Sequence, residues 1–146
     1  MSALLVVARD WDEADRLATV GTSQPEKYLS VGFEETEIYD LLGDIKWLLD
    51  ELDPGCLDNF LYKLEIYGTA ILSKKRVKNY LNLSRVLLDK EVISYLEEND
   101  LFKNYRIDYG YDEPITKEYY LEFANKLKNI CQESLEEKKS IFVFGD

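Results

Sequence analysis

The chain has 146 residues, 46% of them hydrophobic, which is enough to build one compact domain with a packed core. Twenty-nine acidic and eighteen basic residues give a net charge of −11, which disfavours binding to nucleic acid or an anionic membrane and favours a basic protein partner. The absence of histidine excludes Ser-His-Asp and Cys-His catalysis and the metal sites that need histidine.

The first predicted elements are a strand, a capped helix and a second strand. ALLVVA, residues 3–8, is a short β-branched apolar run of the kind that forms a buried strand. Asp10 is expected to cap the helix that follows, with Glu13 reaching back to complete the capping box, and Gly21 to end it. KYLSVGF, residues 27–33, alternates as a second strand does.

Four helices are predicted in the middle of the chain. The first begins near Thr36 and ends at the DPG of residues 53–55, because proline cannot continue a helix. The second follows at once and ends at Gly68, while Ser73 and Asp89 are expected to cap the third and fourth. An apolar stripe along the first helix is formed by Ile38, Leu41, Leu42, Ile45, Leu48, Leu49 and Leu52.

A strand, a long helix and a final strand are predicted in the last third of the chain. YRIDYGYDEP, residues 105–114, alternates by parity, so its tyrosines are expected to face a core. Thr116 is the expected N-cap of the last helix, and SIFVF, residues 140–144, is the closing strand. ALLVVA and SIFVF are apolar on both faces and are therefore expected at the centre of the sheet. We expect residues 1–146 to form a single α+β domain, with a small sheet of about four strands packed on a layer of helices.

Three further features were considered as catalytic, metal-binding or anion-binding sites, and each is better explained by a structural role. Cys56 and Cys131 lie far apart without a C-x-x-C partner and are expected to be buried thiols of a cytoplasmic protein. RDWDEADR, residues 9–16, is rich in oxygen ligands but fits a capped helix better than a metal loop. KKRVK, residues 74–78, is expected to turn Val77 inward and to leave its lysines on a solvated face. We expect no cofactor and no metal.

Acidic residues concentrate at two predicted helix starts, where the helix dipole favours them. The two clusters are Asp10, Asp12, Glu13 and Asp15, and then Glu34, Glu35, Glu37 and Asp40. Trp11 lies within the first cluster, either as an exposed anchor for a partner or packed against the second strand. Tyr111, Asp112 and Glu113, at the end of the tyrosine-rich segment, are a further candidate contact.

The segments RDWDEADR, FEETEIYD and YGYDEP, in one small acidic chain without histidine, resemble the immunity proteins that neutralise bacterial toxins. The resemblance implies a non-catalytic inhibitor that blocks a cationic toxin domain, often a nuclease, by charge and by steric hindrance. From the net charge we expect no binding to nucleic acid or membrane, and we expect a monomer or weak homodimer. The implied partner-binding residues are Asp10, Trp11, Asp12, Glu13, Asp15, Glu34, Glu35, Glu37, Tyr111, Asp112 and Glu113.

Alternative functions remain open on the sequence alone. The same acidic segments are similar to phage-encoded inhibitors that mimic the charge of DNA. A carboxylate-dependent enzyme needs neither histidine nor cysteine, and a pocket holding two carboxylates, one with a raised pKa, would indicate it. A cytosolic protein whose acidity only keeps it soluble is the third alternative.

Overall fold

The computed structural model describes residues 2–20, 24–32, 37–58, 60, 68–102 and 116–145. The fold is α+β, as predicted, with one antiparallel sheet packed against helices. The strands are β1 (Ser2–Ala8), β2 (Tyr28–Gly32), β3 (Gly68–Ile71) and β4 (Ser140–Gly145), in the order β2-β1-β4-β3. The two strands predicted at the centre, β1 and β4, are the central ones, and the backbones of Leu5 and Val143 pair within them.

The described helices are α1 (Trp11–Val20), α2 (Glu37–Asp44), α3 (Lys46–Leu52), α4 (Lys74–Leu87), α5 (Lys90–Glu98) and α6 (Lys117–Glu136). A short 3-10 turn, Pro25–Lys27, leads into β2. None of the described helices is long and apolar enough to cross a membrane.

The four predicted N-caps are all confirmed. Asp10 Oδ1 accepts a hydrogen bond from the Glu13 backbone N–H at 2.9 Å. The other three caps, with the donor N–H of each, are Ser73 with Arg76 at 3.3 Å, Asp89 with Glu91 at 2.9 Å and Thr116 with Tyr119 at 3.0 Å. Each cap satisfies a backbone donor that has no partner within its own helix, and so determines where the helix begins.

The main core lies on one face of the sheet. Leu5, Val7 and Val143 point from the strands into it, and helices α2 to α6 cover it. Two buried tyrosines tie the helices together: Tyr120 Oη donates to the carbonyl of Leu87 at 2.6 Å, and Tyr80 Oη donates to the carbonyl of Phe60 at 3.3 Å. The bond from Tyr120 supplies a donor to the last residue of α4, whose carbonyl lies beyond the reach of the helical ladder.

The opposite face of the sheet carries a second, smaller core under α1. Its buried members are Val6, Ala8, Ala14, Leu17 and Phe142. Side chains alternate between the two faces along each strand, so the even-numbered residues of β1 and β4 face α1 and their neighbours face the main core. The predicted layer of helices therefore covers one face of the sheet, and α1 packs on the other.

Two predictions about the middle of the chain need correction. The predicted helix from Thr36 to the DPG is two helices, because the backbone at Ile45 (φ −103°, ψ 12°) leaves the helical range between α2 and α3. Leu52, expected in the apolar stripe, is 38% exposed at the end of α3. Gly43, two residues before the break, lowers the helix propensity there.

The strand β3 was missed in the sequence. Gly68 begins a four-residue strand that pairs with β4 from Gly68↔Gly145 to Ile71↔Phe142, and the residues before it, where the second helix was predicted to end, lie outside the described residues. Ala70 packs against the main core, so this short segment is positioned by its neighbours in the sheet rather than by its own periodicity. The strand predicted at residues 105–114 lies outside the described residues.

Candidate partner-binding surface

Helix α1 presents two flanks beside the face that packs on the sheet. At 3.6 residues per turn, positions three or four apart lie on the same side of a helix. Trp11 and Asp15 therefore share one flank, Glu13 and Arg16 share the other, and Asp12 lies on the outer, solvent-facing side between them. The buried Ala14 and Leu17 lie between them.

Trp11 is half exposed and lies against β4. Its ring centroid is 4.6 Å from that of Phe142 and 5.9 Å from that of Phe144, and both contacts are edge-on. The side chain remains 37% exposed. Trp11 is therefore packed on β4 and at the same time partly open to solvent, and its role as a contact for a partner stays a prediction.

Ile71 extends this apolar surface onto β3. It pairs with Phe142 across the strands, which places it on the same face of the sheet as Trp11. It is 50% exposed, and Phe144 is half-buried beside it. We call Trp11, Ile71, Phe144, Asp12 and Asp15 together the Trp11 surface.

The acidic residues around Trp11 have different roles. Asp12 and Asp15 are exposed, and within the described ranges their carboxylates form no ion pair. Asp10 caps α1. Glu13 does not complete the capping box; its Oε2 accepts a hydrogen bond from Arg9 Nε at 2.7 Å. Two of the four acids are therefore free to meet a partner, while the other two are engaged within the chain.

Six further residues were predicted to contact a partner. Glu34, Glu35, Tyr111, Asp112 and Glu113 lie outside the described residues. Glu37 begins α2, but its side chain is not among those described. Whether these residues join the Trp11 surface stays a prediction.

A second exposed tryptophan was missed in the sequence. Trp47 is 49% exposed on α3, and its ring lies edge-on to that of Tyr95 with centroids 5.2 Å apart. Its neighbours Ile45, Leu48 and Leu49 are buried. A tryptophan that falls between the positions of an apolar stripe is the signal that could have found it.

Among the described residues, Asp50 and Glu133 are the carboxyl groups with a displaced pKa, and both are paired with lysines. The hydrogen bond from Lys46, supported by the backbone N–H of Gly55, lowers the pKa of Asp50. Burial acts to raise the pKa of Glu133, but hydrogen bonds from Lys27 and Lys139 outweigh it and lower the pKa. Both shifts run opposite to that of a general acid, which needs a raised pKa. Among the described residues no group of three or more metal-ligating side chains comes together.

The two cysteines are free and buried, as predicted. Burial raises the pKa of Cys56 to about 11 and that of Cys131 to about 12. Thiols with such pKa values remain protonated at neutral pH, and the protonated thiol is a poor nucleophile. Both therefore act as apolar core residues.

No protein-family model, curated protein or solved structure matches the chain. The functional interpretation therefore depends on the residues of this chain and their arrangement.

Proposed function

We propose that the chain is a non-catalytic inhibitor that binds a cationic bacterial toxin domain, as immunity proteins do, and that the Trp11 surface is its contact. The observation that carries the proposal is a half-exposed tryptophan supported by two phenylalanines and bordered by unpaired acids. Aromatic side chains of this kind dominate the binding energy of protein interfaces. Because Trp11 is already held by Phe142 and Phe144, it loses little freedom when a partner covers it.

The charge of the chain supports a basic partner. A net charge of −11 attracts a cationic domain over long range, which accelerates encounter and weakens as salt is added. Asp12 and Asp15 supply the same sign of charge beside the apolar contact. Electrostatic attraction then brings the partner to the surface, and burial of Trp11, Ile71 and Phe144 slows its dissociation.

The Trp47 surface is the alternative contact, but it fits a basic partner less well. Trp47 packs on Tyr95, and the shallow pocket beside them includes Lys90, Glu91 and Glu98. Its charges are of both signs, so it offers no consistent attraction to a cationic domain. The acids of the Trp11 surface are unpaired and of one sign.

The proposal is tested with the product of the gene immediately upstream. This product is expressed in a bacterial host alone and together with the chain, and the purified pair is examined by surface plasmon resonance. Expressed alone it should arrest growth, and the chain should restore growth. The association rate should fall about tenfold or more between low and high salt. A neighbour that neither arrests growth nor binds contradicts the proposal.

Matched variants test the surface itself. Trp11→Ala should weaken binding by about 2 kcal/mol or more, whereas Trp47→Ala should leave it nearly unchanged. Asp12→Lys with Asp15→Lys should slow association, whereas Glu51→Lys with Glu98→Lys changes the net charge equally and should slow it less. If each variant and its control changed binding equally, the net charge or the stability of the chain would be responsible, and not the Trp11 surface.

A further inference from the structure

The flank of α1 opposite Trp11 borders a pocket lined mainly by bases, although the chain as a whole is strongly acidic. It lies at the end of the sheet where β1 ends and where β2 and β4 begin. We call it the basic pocket, and its charged and polar lining residues are Arg9, Glu13, Arg16, Gln24, Lys27 and Lys139. They come from three separate segments, residues 9–16, residues 24–27 and Lys139, so no single stretch of the sequence predicts the pocket.

The two lysines of the pocket are held in place by one shared carboxylate. Glu133, on α6, accepts hydrogen bonds from Lys27 Nζ at 2.6 Å and from Lys139 Nζ at 3.2 Å. Lys139 Nζ also lies 2.9 Å from a carboxylate oxygen of Glu137. All three members of the Lys27–Glu133–Lys139 group are half-buried. Each ammonium group has three N–H donors, so the carboxylates leave donors free for a ligand.

The backbone around these lysines is also constrained. Lys138 has a left-handed conformation (φ 54°), which turns the chain from α6 into β4. The Lys139 N–H donates to the carbonyl of Ser134 at 3.1 Å, and Ser134 Oγ donates to the carbonyl of Lys139 at 2.7 Å. On the other side, the Lys27 N–H donates to the carbonyl of Gln24 at 3.1 Å. The backbones that carry the two lysine side chains are therefore held by hydrogen bonds within turns.

Two guanidinium groups complete the lining. Arg9 uses Nε for Glu13, which leaves its remaining N–H donors available. Arg16 lies one turn along α1 from Glu13 and has no ion pair among the residues that the structure describes. Guanidinium groups bind the oxygens of phosphate in pairs, a geometry that ammonium groups do not offer.

The charges of the pocket indicate the sign of its ligand. Four bases and one acid line it, and Glu133 and Glu137, which hold the lysines, still leave the whole group net positive. A phosphate monoester has about two negative charges and three strong acceptor oxygens at neutral pH. We propose that the basic pocket binds a phosphate group, supplied by inorganic phosphate or by a small phosphomonoester. The ligand would accept from Arg9, Arg16, Lys27 and Lys139 together.

This proposal is independent of the toxin partner, because the pocket and the Trp11 surface lie on different flanks of α1. The test titrates the isotope-labelled protein by NMR with sodium phosphate and, separately, with glycerol phosphate. Sodium chloride at the same ionic strength is the reference. Saturable shifts should appear at the amides that border the pocket. Tighter binding of glycerol phosphate would identify a monoester as the ligand, and tighter binding of inorganic phosphate would identify the free ion.

One substitution and its matched control decide whether the pocket is responsible. Arg16→Gln should weaken phosphate binding about tenfold without changing the melting temperature, since Arg16 is exposed. Arg85→Gln removes the same charge from an exposed position on α4 and should change binding less than twofold. Shifts no larger than those with chloride, or equal weakening in the two variants, would overturn the proposal.

Discussion

One face of the sheet is covered by helices α2 to α6, whereas the other carries α1. On the covered face the strand residues Leu5, Val7 and Val143 are fully buried. On the α1 face Trp11 and Ile71 remain 37% and 50% exposed. Helix α1 has ten residues and leaves part of the apolar sheet open. The main-core face is therefore fully packed in the described part of the chain, and the α1 face is the one on which we propose that a partner binds.

The two flanks of α1 differ in charge, as the two faces of the sheet differ in burial. Asp15 lies beside Trp11 on the apolar flank, whereas Arg9 and Arg16 line the basic pocket on the other side. The acidic flank has the same sign as the net charge of −11, whereas the lining of the basic pocket has the opposite sign. Net charge governs encounter at long range, but the local arrangement of charges decides which ligand each surface accepts.

The largest expected effect compares the two cores. Leu127→Ala, in the main core, should lower the free energy of unfolding by about 4 kcal/mol, because it removes many contacts and leaves a cavity. Leu17→Ala, in the smaller core under α1, should cost about 2 kcal/mol, since the open face can relax around it. Urea denaturation followed by circular dichroism measures both. A cost at Leu17 equal to that at Leu127 would mean that α1 is as firmly packed as the other helices.

A smaller effect is expected from one buried hydroxyl. Tyr120→Phe removes the hydrogen bond to the Leu87 carbonyl and should cost about 1.5 kcal/mol, because that buried carbonyl loses its donor. Tyr28→Phe, on the open face, keeps the ring that lies 5.7 Å from Lys126 Nζ and should change stability by less than about 0.5 kcal/mol. Thermal denaturation of the two variants checks the contrast, which fails if Tyr28→Phe is the more costly change.

The smallest effect concerns the ion pairs of Glu133. Because the lysines lower its pKa below the ordinary 4.5, the folded protein binds fewer protons here than the unfolded chain does. This stabilisation is therefore present above about pH 4.5 and is lost as the pH falls through the lower, folded pKa. Glu133→Gln should lower the free energy of unfolding by about 1 kcal/mol at pH 7, and by less at acidic pH.

Glu122→Gln is the matched control for Glu133→Gln. Glu122 pairs with Lys126 at 3.4 Å on an exposed part of the same helix, so its loss should cost less than about 0.5 kcal/mol. Denaturant titrations from pH 7 to pH 3 measure both variants. A loss for Glu133→Gln that persists unchanged at pH 3 would show that its carboxylate charge is not responsible.

Local features of the chain were predictable from the sequence. The caps at Asp10, Ser73, Asp89 and Thr116 depend on a side chain and a backbone group three residues apart or fewer. The apolar stripes and the two central strands depend on periodicity within one segment. The strand β3 could not be recognised in the same way, because a four-residue segment has too little periodicity and pairs with a partner more than seventy residues away.

The candidate site was predictable only in part. Trp11, Asp12 and Asp15 could be predicted as candidates because an aromatic residue and several acids lie together in one short segment. Their neighbours Ile71 and Phe144 could not be found, since the register of β3 against β4 brings them together. The basic pocket likewise depends on the meeting of segments that are distant in the sequence.

The sequence alone determined the α+β class, the helix starts, the central strands and the excess of negative charge, because each depends on composition or on neighbours along the chain. The tertiary structure decided which of those charges are free. Asp12 and Asp15 face solvent, whereas Glu13 binds Arg9 beside Lys27 and Lys139. The reason is geometric: successive residues of a helix are about 100° apart around its axis, and the packing of α1 on the sheet decides that Asp15 lies beside Trp11 while Arg16 lies beside the basic pocket.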